Sequence, residues 1–351
     1  MNKNLQTIQW LRGIAALLVT LVHAANEVNE IFINSPITIP HNFVIGVDLF
    51  FIISGFIMVY TTKKYNTGFS SSLLFMRKRI VRVVPIYWFY SLLAIFSVVL
   101  LSKYMSNPSV DYFHILRSFF FIPSYYPGTD SIQPILRVGW TLNYEMYFYV
   151  LFSLSLMLTS KFRVIVTSSL FIFIFILCQK QDDVFTQFYS NNIIFEFILG
   201  MLIAELFLRP KFDVFFVGYR SFIFFITLSI TAYLTLVGQS DINDLNYRGF
   251  QFGIPAAFLF IAFLSLDSVL SKMSIDKNLI VRIISYLGDS SYTLYLSHLF
   301  CIVGMNVIIK KLFSIDVAYA WPYFILVILF TCTFSYLLYF YIEKKVVSSL
   351  R

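Results

Sequence analysis

Charge is scarce in this sequence. Only 13% of its 351 residues are Asp, Glu, Lys or Arg, about half the share of a soluble domain, and 59% are hydrophobic. That balance excludes a soluble globular fold. Cysteine is scarce too. Cys178, Cys301 and Cys332 lie in or beside apolar runs. They show neither a metal-ligand spacing nor a disulfide framework, so no metal is expected, and they read as small apolar side chains. The sequence has no G-x-S-x-G elbow, P-loop, H-E-x-x-H helix or glycine-rich dinucleotide turn. It has no internal repeat, direct or inverted, which argues against a repeat-built transporter.

What the chain does have is long apolar runs. A membrane helix takes roughly 20 apolar residues, and ten runs qualify: 8–26, 43–61, 84–102, 140–159, 163–178, 191–208, 218–237, 250–266, 292–310 and 320–342. The expected fold is an all-α polytopic membrane protein of about ten transmembrane helices. It reads as one transmembrane domain over 1–351 with no appended soluble domain. Phe (41) and Tyr (23) are abundant, which suits lipid contact and interfacial belts. The longest gap, 103–139, holds "FHILRSFFFIP", too short to span and expected at the membrane interface.

If the N-terminus is inside and the runs alternate, 19 of the 26 Lys and Arg fall inside and seven outside. That bias fits an even number of spans with both termini cytoplasmic. Topology thus accounts for the net charge of +8. The expected partner is the lipid bilayer, and no nucleic acid is implied. A leader cleaved after Ala25 is the rival reading of the N-terminus, and it would leave nine spans.

Polar residues inside the apolar runs carry the functional signal. "IQWLRGIAALLVTLVHAANE" holds Arg12 and His23. Eleven residues are three turns plus about 20°, so the two share one helix face, about 16 Å apart. Taken singly, Arg12 reads as a snorkelling cation at the inner end and His23 as an interfacial imidazole at the outer end. On one face they read as functional. In "GWTLNYEMYFYVLF" Glu145 sits about 7 Å below Trp140, near the outer leaflet and at the depth assigned to His23. It is the expected partner of a histidine base. Trp140, Tyr144, Tyr147 and Tyr149 suit an aromatic belt or the face of a sugar.

Three more stretches matter. "FMRKRIVRVVPIYWFY" places Arg79 and Arg82 three apart on one helix face, at the cytoplasmic mouth of the third span. They serve topology, or they fork onto the phosphates of a nucleotide or phospholipid. "GVDLFFIISGFIMVY" has Asp48 at the outer end of the second span, as a helix cap or part of the polar site, and Gly55 for close packing. "YLGDSSYTLYLSHLF" has a turn at Gly288-Asp289-Ser290 and His298 about two turns into the ninth span. His298 reads as packed or as a second functional histidine.

In this order the five stretches resemble the acyltransferase 3 family of membrane O-acyltransferases, and "YFYIEKKV" resembles that family's last-helix ending. The likeness runs from residue 8 to about 345. "GWTLNYEMYFY" is most similar to the exopolysaccharide and O-antigen O-acetyltransferase branch, although many relatives read S-V-E at Asn143-Tyr144-Glu145. The resemblance implies an essential arginine and histidine on the first helix, here Arg12 and His23, and a cytoplasmic R-x-x-R, here Arg79 and Arg82.

It implies an enzyme of the cell membrane, an O-acetyltransferase. The donor would be cytoplasmic acetyl-CoA. The acceptor would be a sugar hydroxyl of a surface polysaccharide, exopolysaccharide or lipopolysaccharide O-antigen, or its lipid-linked precursor. His23 would be the general base, with Glu145 and Arg12 in the catalytic set. Arg79 and Arg82 would hold the donor, and Asp48, Trp140, Asn143 and Tyr144 would face the acceptor. Direct transfer and an acyl-histidine both fit the residues. So does a different class, a proton-coupled transporter or flippase of a glycolipid or anion with His23 and Glu145 as relay.

Overall fold

In lipid a backbone amide has no water to bond, so an apolar chain satisfies its own hydrogen bonds by coiling into helices. The computed structural model describes residues 5–32, 34–101, 111–180, 182–237, 245–267, 278–312 and 316–350. Among the described residues no strand forms, and Tyr125 and Ile132 make an isolated antiparallel bridge. Lys3, Lys103, Pro108, Lys272, Lys277 and Arg351, which entered the charge and loop readings, lie outside the described residues.

The helices are α1 Gln6–Asn29, α2 Ile45–Thr62, α3 Phe69–Leu101, α4 Tyr112–Phe119, α5 Trp140–Ser155, α6 Arg163–Leu177, α7 Val184–Tyr189 and α8 Ile194–Phe207. They continue with α9 Pro210–Val237, α10 Leu245–Gln251, α11 Gly253–Ser265, α12 Leu279–Asp289, α13 Ser291–Leu312, α14 Ala320–Leu338 and α15 Lys344–Leu350. Among the described residues, eight helical segments are long and apolar enough to cross a membrane. They are Gln6–Asn29, His41–Thr62, Phe69–Val99, Ser160–Leu177, Val184–Phe207, Arg248–Ser265, Ser291–Lys311 and Val317–Leu350. The chain is a multi-pass membrane protein.

The two other expected runs are helical as well, but they differ from the expectation. α5 stops at Ser155 after 16 residues, short of the roughly 20 that a crossing takes. α9 has a non-helical residue, Tyr219 (φ −113°, ψ 18°), just where the run 218–237 begins. The third span also starts earlier than expected, at Phe69 rather than at 84. Leu, Met, Lys and Arg are all good helix formers, so the helix extends through the basic stretch that a search for apolar residues leaves out. Pro85 lies inside it.

The chain divides into two compact units. The first comprises residues 1–53, 210–239 and 251–345. Here α1 packs against α12 and α13, α11 packs against α9, and α13 packs against α14. One core cluster joins Ala24, Ala25 and Val28 of α1 to Ile302 of α13 and to Tyr323, Phe324 and Val327 of α14.

The second unit comprises residues 54–209, 240–250 and 346–351. Its centre is a column of rings. Phe148 of α5 stacks on Phe197 of α8 with centroids 4.5 Å apart, and Phe171 of α6 lies parallel to Phe197 at 6.2 Å. Gly55 lets α2 reach α8, because a Cβ there would stand 2.2 Å from the Phe197 carbonyl oxygen. The short apolar piece forms α4. Asp111 caps it, accepting from the Phe113 and His114 amides at 3.1 and 3.2 Å. Tyr112, Phe113 and Leu116 are exposed on α4 while His114 and Ser118 are buried, as an interfacial helix requires. Burial lowers the pKa of His114, whose Nδ1 lies 3.0 Å from Ser124 Oγ.

Candidate active site

Candidate polar groups occur in both units. In the first unit their placement depends on how α1 is seated. A Cβ on Gly288 would stand 2.3 Å from the Gln9 carbonyl oxygen, and one on Gly13 would stand 2.6 Å from the Gly288 nitrogen. The two glycines thus let α1 and α12 cross with their backbones in contact. Side chains then fix the register. Gln9 Nε2 donates to Asp289 Oδ1 at 2.6 Å, Trp10 Nε1 to Ser285 Oγ at 2.9 Å, and Thr7 Oγ1 to Asp267 Oδ1 at 2.8 Å. Gly46 of α2 approaches α1 from another side, where a Cβ would meet the Ala15 carbonyl oxygen at 2.3 Å.

So seated, α1 presents Arg12 and His23 at different heights. Arg12 is half-buried. Arg12, Asp289 and Glu343 all act electrostatically on the Tyr339 hydroxyl, and Glu343 accepts from Thr293 Oγ1 at 2.5 Å. His23 is also half-buried. Its ring centre lies 5.1 Å from that of His298, with the planes tilted by 38°. His298 is fully buried, and its Nδ1 lies 3.2 Å from the Leu294 carbonyl oxygen. A carbonyl only accepts, so Nδ1 carries the proton and Nε2 is a bare lone pair. That Nε2 has no hydrogen-bond partner among the described residues. Tyr295 stands 6.0 Å from His298, ring to ring, and Phe50 stands 5.8 Å from Tyr295. His41 acts electrostatically on His23. Asp48, in the first turn of α2, is fully buried.

The second unit holds Glu145. Its Oε1 accepts from the Tyr149 hydroxyl, one helical turn on, and from Ser54 Oγ at 3.3 Å. Arg79 packs its guanidinium 5.8 Å from the Tyr149 ring centre and 5.4 Å from that of Phe75. Arg82 and Glu145 both act electrostatically on Arg79. Arg79, expected at the cytoplasmic mouth, and Glu145, expected near the outer leaflet, are thus within electrostatic reach of each other in one unit. Arg79 lies ten residues inside α3, about 15 Å from the helix start, and there it comes within electrostatic reach of the carboxylate. Glu145 and His23 belong to different units, and the partners of Glu145 in its own unit are Ser54, Tyr149 and Arg79.

The residues expected to face an acceptor fare differently. Tyr144 is buried, with its ring stacked on Phe188 at 4.0 Å and its hydroxyl donating to the Phe188 carbonyl at 3.1 Å. One face of its ring is committed to packing against Phe188. Trp140 is half-buried, with the Arg248 guanidinium 5.8 Å from its ring centre. Asn143 is buried, and its Oδ1 has no hydrogen-bond partner among the described residues. His298 is the residue that sequence reasoning left ambiguous. Its spacing from Gly288-Asp289-Ser290 said only that it lies inside a helix.

Residues 5–340 match the acyltransferase domain family. The chain belongs to the acyltransferase 3 family. It is therefore an acyltransferase, and its apolar helices make it a membrane acyltransferase. It is 34% identical over 270 residues to the exopolysaccharide production protein ExoZ of Rhizobium meliloti (strain 1021), covering 75% of this chain and 78% of that protein. No solved structure matches. The acyltransferase thus carries two sets of groups fit for group transfer. One is an imidazole backed by a second, buried imidazole. The other is the Arg79 guanidinium beside the Tyr149 ring, within electrostatic reach of Glu145 and Arg82.

Proposed function

We propose that this membrane acyltransferase is an O-acetyltransferase of the cytoplasmic membrane. It moves an acetyl group from cytoplasmic acetyl-CoA to a sugar hydroxyl of a surface polysaccharide or of its lipid-linked precursor. The observation that carries this reading is the imidazole pair His23–His298, a proton acceptor built into apolar helices. The relative named for exopolysaccharide production supports the choice of acceptor. The transmembrane domain carries the reaction, crossing ten times with both termini cytoplasmic. Alternate crossing is supported in the second unit, where the ends of α2, α5 and α8 and the start of α6 line one cavity.

In this reading His23 takes the proton from the sugar hydroxyl as the oxygen attacks the thioester carbonyl. The new C–O bond forms, the C–S bond breaks, and the imidazolium returns the proton to the leaving thiolate. Such proton transfer typically supplies about 10²–10⁴-fold in rate. The Nε2 lone pair of His298 has no hydrogen-bond partner among the described residues; in this reading it takes up the N–H of His23 during the reaction, which sets the tautomer and leaves the other His23 nitrogen for the hydroxyl. Arg79 and Arg82 hold the phosphates of the donor, and Glu145 with Tyr149 holds Arg79 in place. Arg12 marks the cytoplasmic end of the His23 face. Asp48, Trp140 and Asn143 serve the acceptor.

The test is purified protein in lipid nanodiscs with acetyl-CoA and deacetylated polysaccharide precursor. Release of free CoA should depend on the acceptor and should vanish in His23→Ala. Uptake of glycolipid into liposomes with no transfer of label would overturn the reading in favour of a transporter.

A further inference from the structure

A cavity of about 180 Å³ lies in the second unit where α2, α5 and α8 end and α6 begins. Its wall carries four cationic side chains, Lys63, Lys161, Arg163 and Arg209, against one carboxylate, Glu205. Arg163 is the anchor. It is 3% exposed. Its Nη1 donates to the Thr62 carbonyl at 2.8 Å and its Nη2 to the Tyr65 carbonyl at 2.9 Å. These bonds tie Arg163 to the last residue of α2 and to the turn after it, where the Thr62 carbonyl also accepts from the Tyr65 amide at 2.9 Å. They orient the guanidinium without neutralising it, since carbonyl oxygens carry no net charge. The Nε atom is buried and has no hydrogen-bond partner among the described residues.

A buried cation is costly unless an anion accompanies it. The bias of basic residues toward the cytoplasmic side accounts for the exposed Lys63, Lys161 and Arg209. It does not account for a buried arginine beside a hollow. Holding the end of α2 and the turn after it accounts for both Nη atoms but not for Nε or for the cavity. We infer that this cavity binds a phosphate-bearing anion, with Arg163 at its floor and Lys63, Lys161 and Arg209 at its rim. Arginine and lysine are the residues that recognise phosphate. Basic pockets between membrane helices on the cytoplasmic side take lipid headgroups. The phosphate of an anionic phospholipid and that of a soluble nucleotide share this chemistry. The site is separate from Arg79 and Arg82, neither of which lines the cavity.

The experiment reads binding alone, so it stands or falls independently of the acetyl-transfer reading. The full chain is placed in phosphatidylcholine nanodiscs. One arm titrates in phosphatidylglycerol and counts bound lipid by native mass spectrometry. The other titrates radiolabelled 3′,5′-ADP by equilibrium dialysis. Arg163→Ala also releases the end of α2 and the turn after it, so the variants are the exposed-rim pair Lys161→Ala/Arg209→Ala and the charge-removing Glu205→Gln. The rim pair should weaken one ligand about tenfold or more, as loss of charge-assisted contacts does, and Glu205→Gln should tighten the same ligand. If that ligand is phosphatidylglycerol, the source is the membrane; if it is 3′,5′-ADP, the source is a soluble nucleotide. Any result in which neither ligand moves in these opposite directions overturns the inference.

Discussion

The His298 imidazole stands 5.1 Å from that of His23, with its own Nδ1 proton spent on the Leu294 carbonyl. What it offers its neighbour is therefore a lone pair, and this can be tested by moving the acceptor. His298→Asn keeps a donor near the Nδ1 position but has no acceptor at Nε2. His298→Gln reaches the Nε2 position with a carbonyl oxygen. If that lone pair takes up the His23 N–H in the reaction, the lost hydrogen bond is worth about 1–3 kcal/mol, so His298→Asn should lower kcat by about ten- to a hundredfold. His298→Gln should recover most of that loss. Equal loss in both variants, with a lower melting temperature, would mean that His298 only packs.

His23 and Arg79 should fail in different ways. His23→Ala should collapse kcat while labelled acetyl-CoA still binds, because the imidazole acts in the transition state. Arg79→Ala or Arg82→Ala should raise the KM for the donor about tenfold or more and cut kcat less. Binding and turnover measured on each purified variant decide the matter. Loss of donor binding in His23→Ala, with turnover preserved at saturation, would reverse the assignment.

Tyr149 donates to Glu145 and lies under the Arg79 guanidinium, and Glu145 acts electrostatically on Arg79, so their substitutions should not add. The cycle Arg79→Ala, Glu145→Gln and the double variant should show a coupling of about 0.5–3 kcal/mol in kcat/KM for the donor. Tyr149→Phe removes the hydroxyl that donates to Glu145 and should cost less than Glu145→Gln, which also removes the charge that acts on Arg79. Strict additivity of Arg79 and Glu145 would show that the carboxylate does not support the arginine.

The crossing of α1 and α12 gives a prediction about stability. A Cβ on Gly288 would stand 2.3 Å from backbone, the Gln9 carbonyl oxygen, which cannot swing away as a side-chain tip would. Gly288→Ala should therefore destabilise the protein by about 1–3 kcal/mol. In a thermal melt it should fall below Gly218→Ala, where a Cβ meets nothing within 4 Å. A Gly288→Ala melt equal to wild type would show that the helices separate without cost.

The sequence by itself determined that the chain is helical and lies in a membrane. Lipid leaves a backbone one economical solution, and apolar runs such as 43–61 and 292–310 announce it. It also determined that Arg12 and His23 share a face, because their relation lies inside one helix and follows from its pitch. Helix ends were less legible. α3 begins at Phe69 and α5 stops at Ser155, since a helix extends as far as propensity and packing allow and not only where the residues are apolar.

Only the tertiary structure decided which polar groups keep company. It set His298 beside His23, laid Arg79 on the Tyr149 ring within electrostatic reach of Glu145, closed the Tyr144 ring against Phe188, and left Arg163 buried beside a cavity. The physical reason is the same in each case. Pitch fixes neighbours a turn or two apart. Contacts between distant segments depend on how closely two backbones approach, and that is set by glycines such as Gly13, Gly55 and Gly288 meeting a surface that exists only once the helices pack.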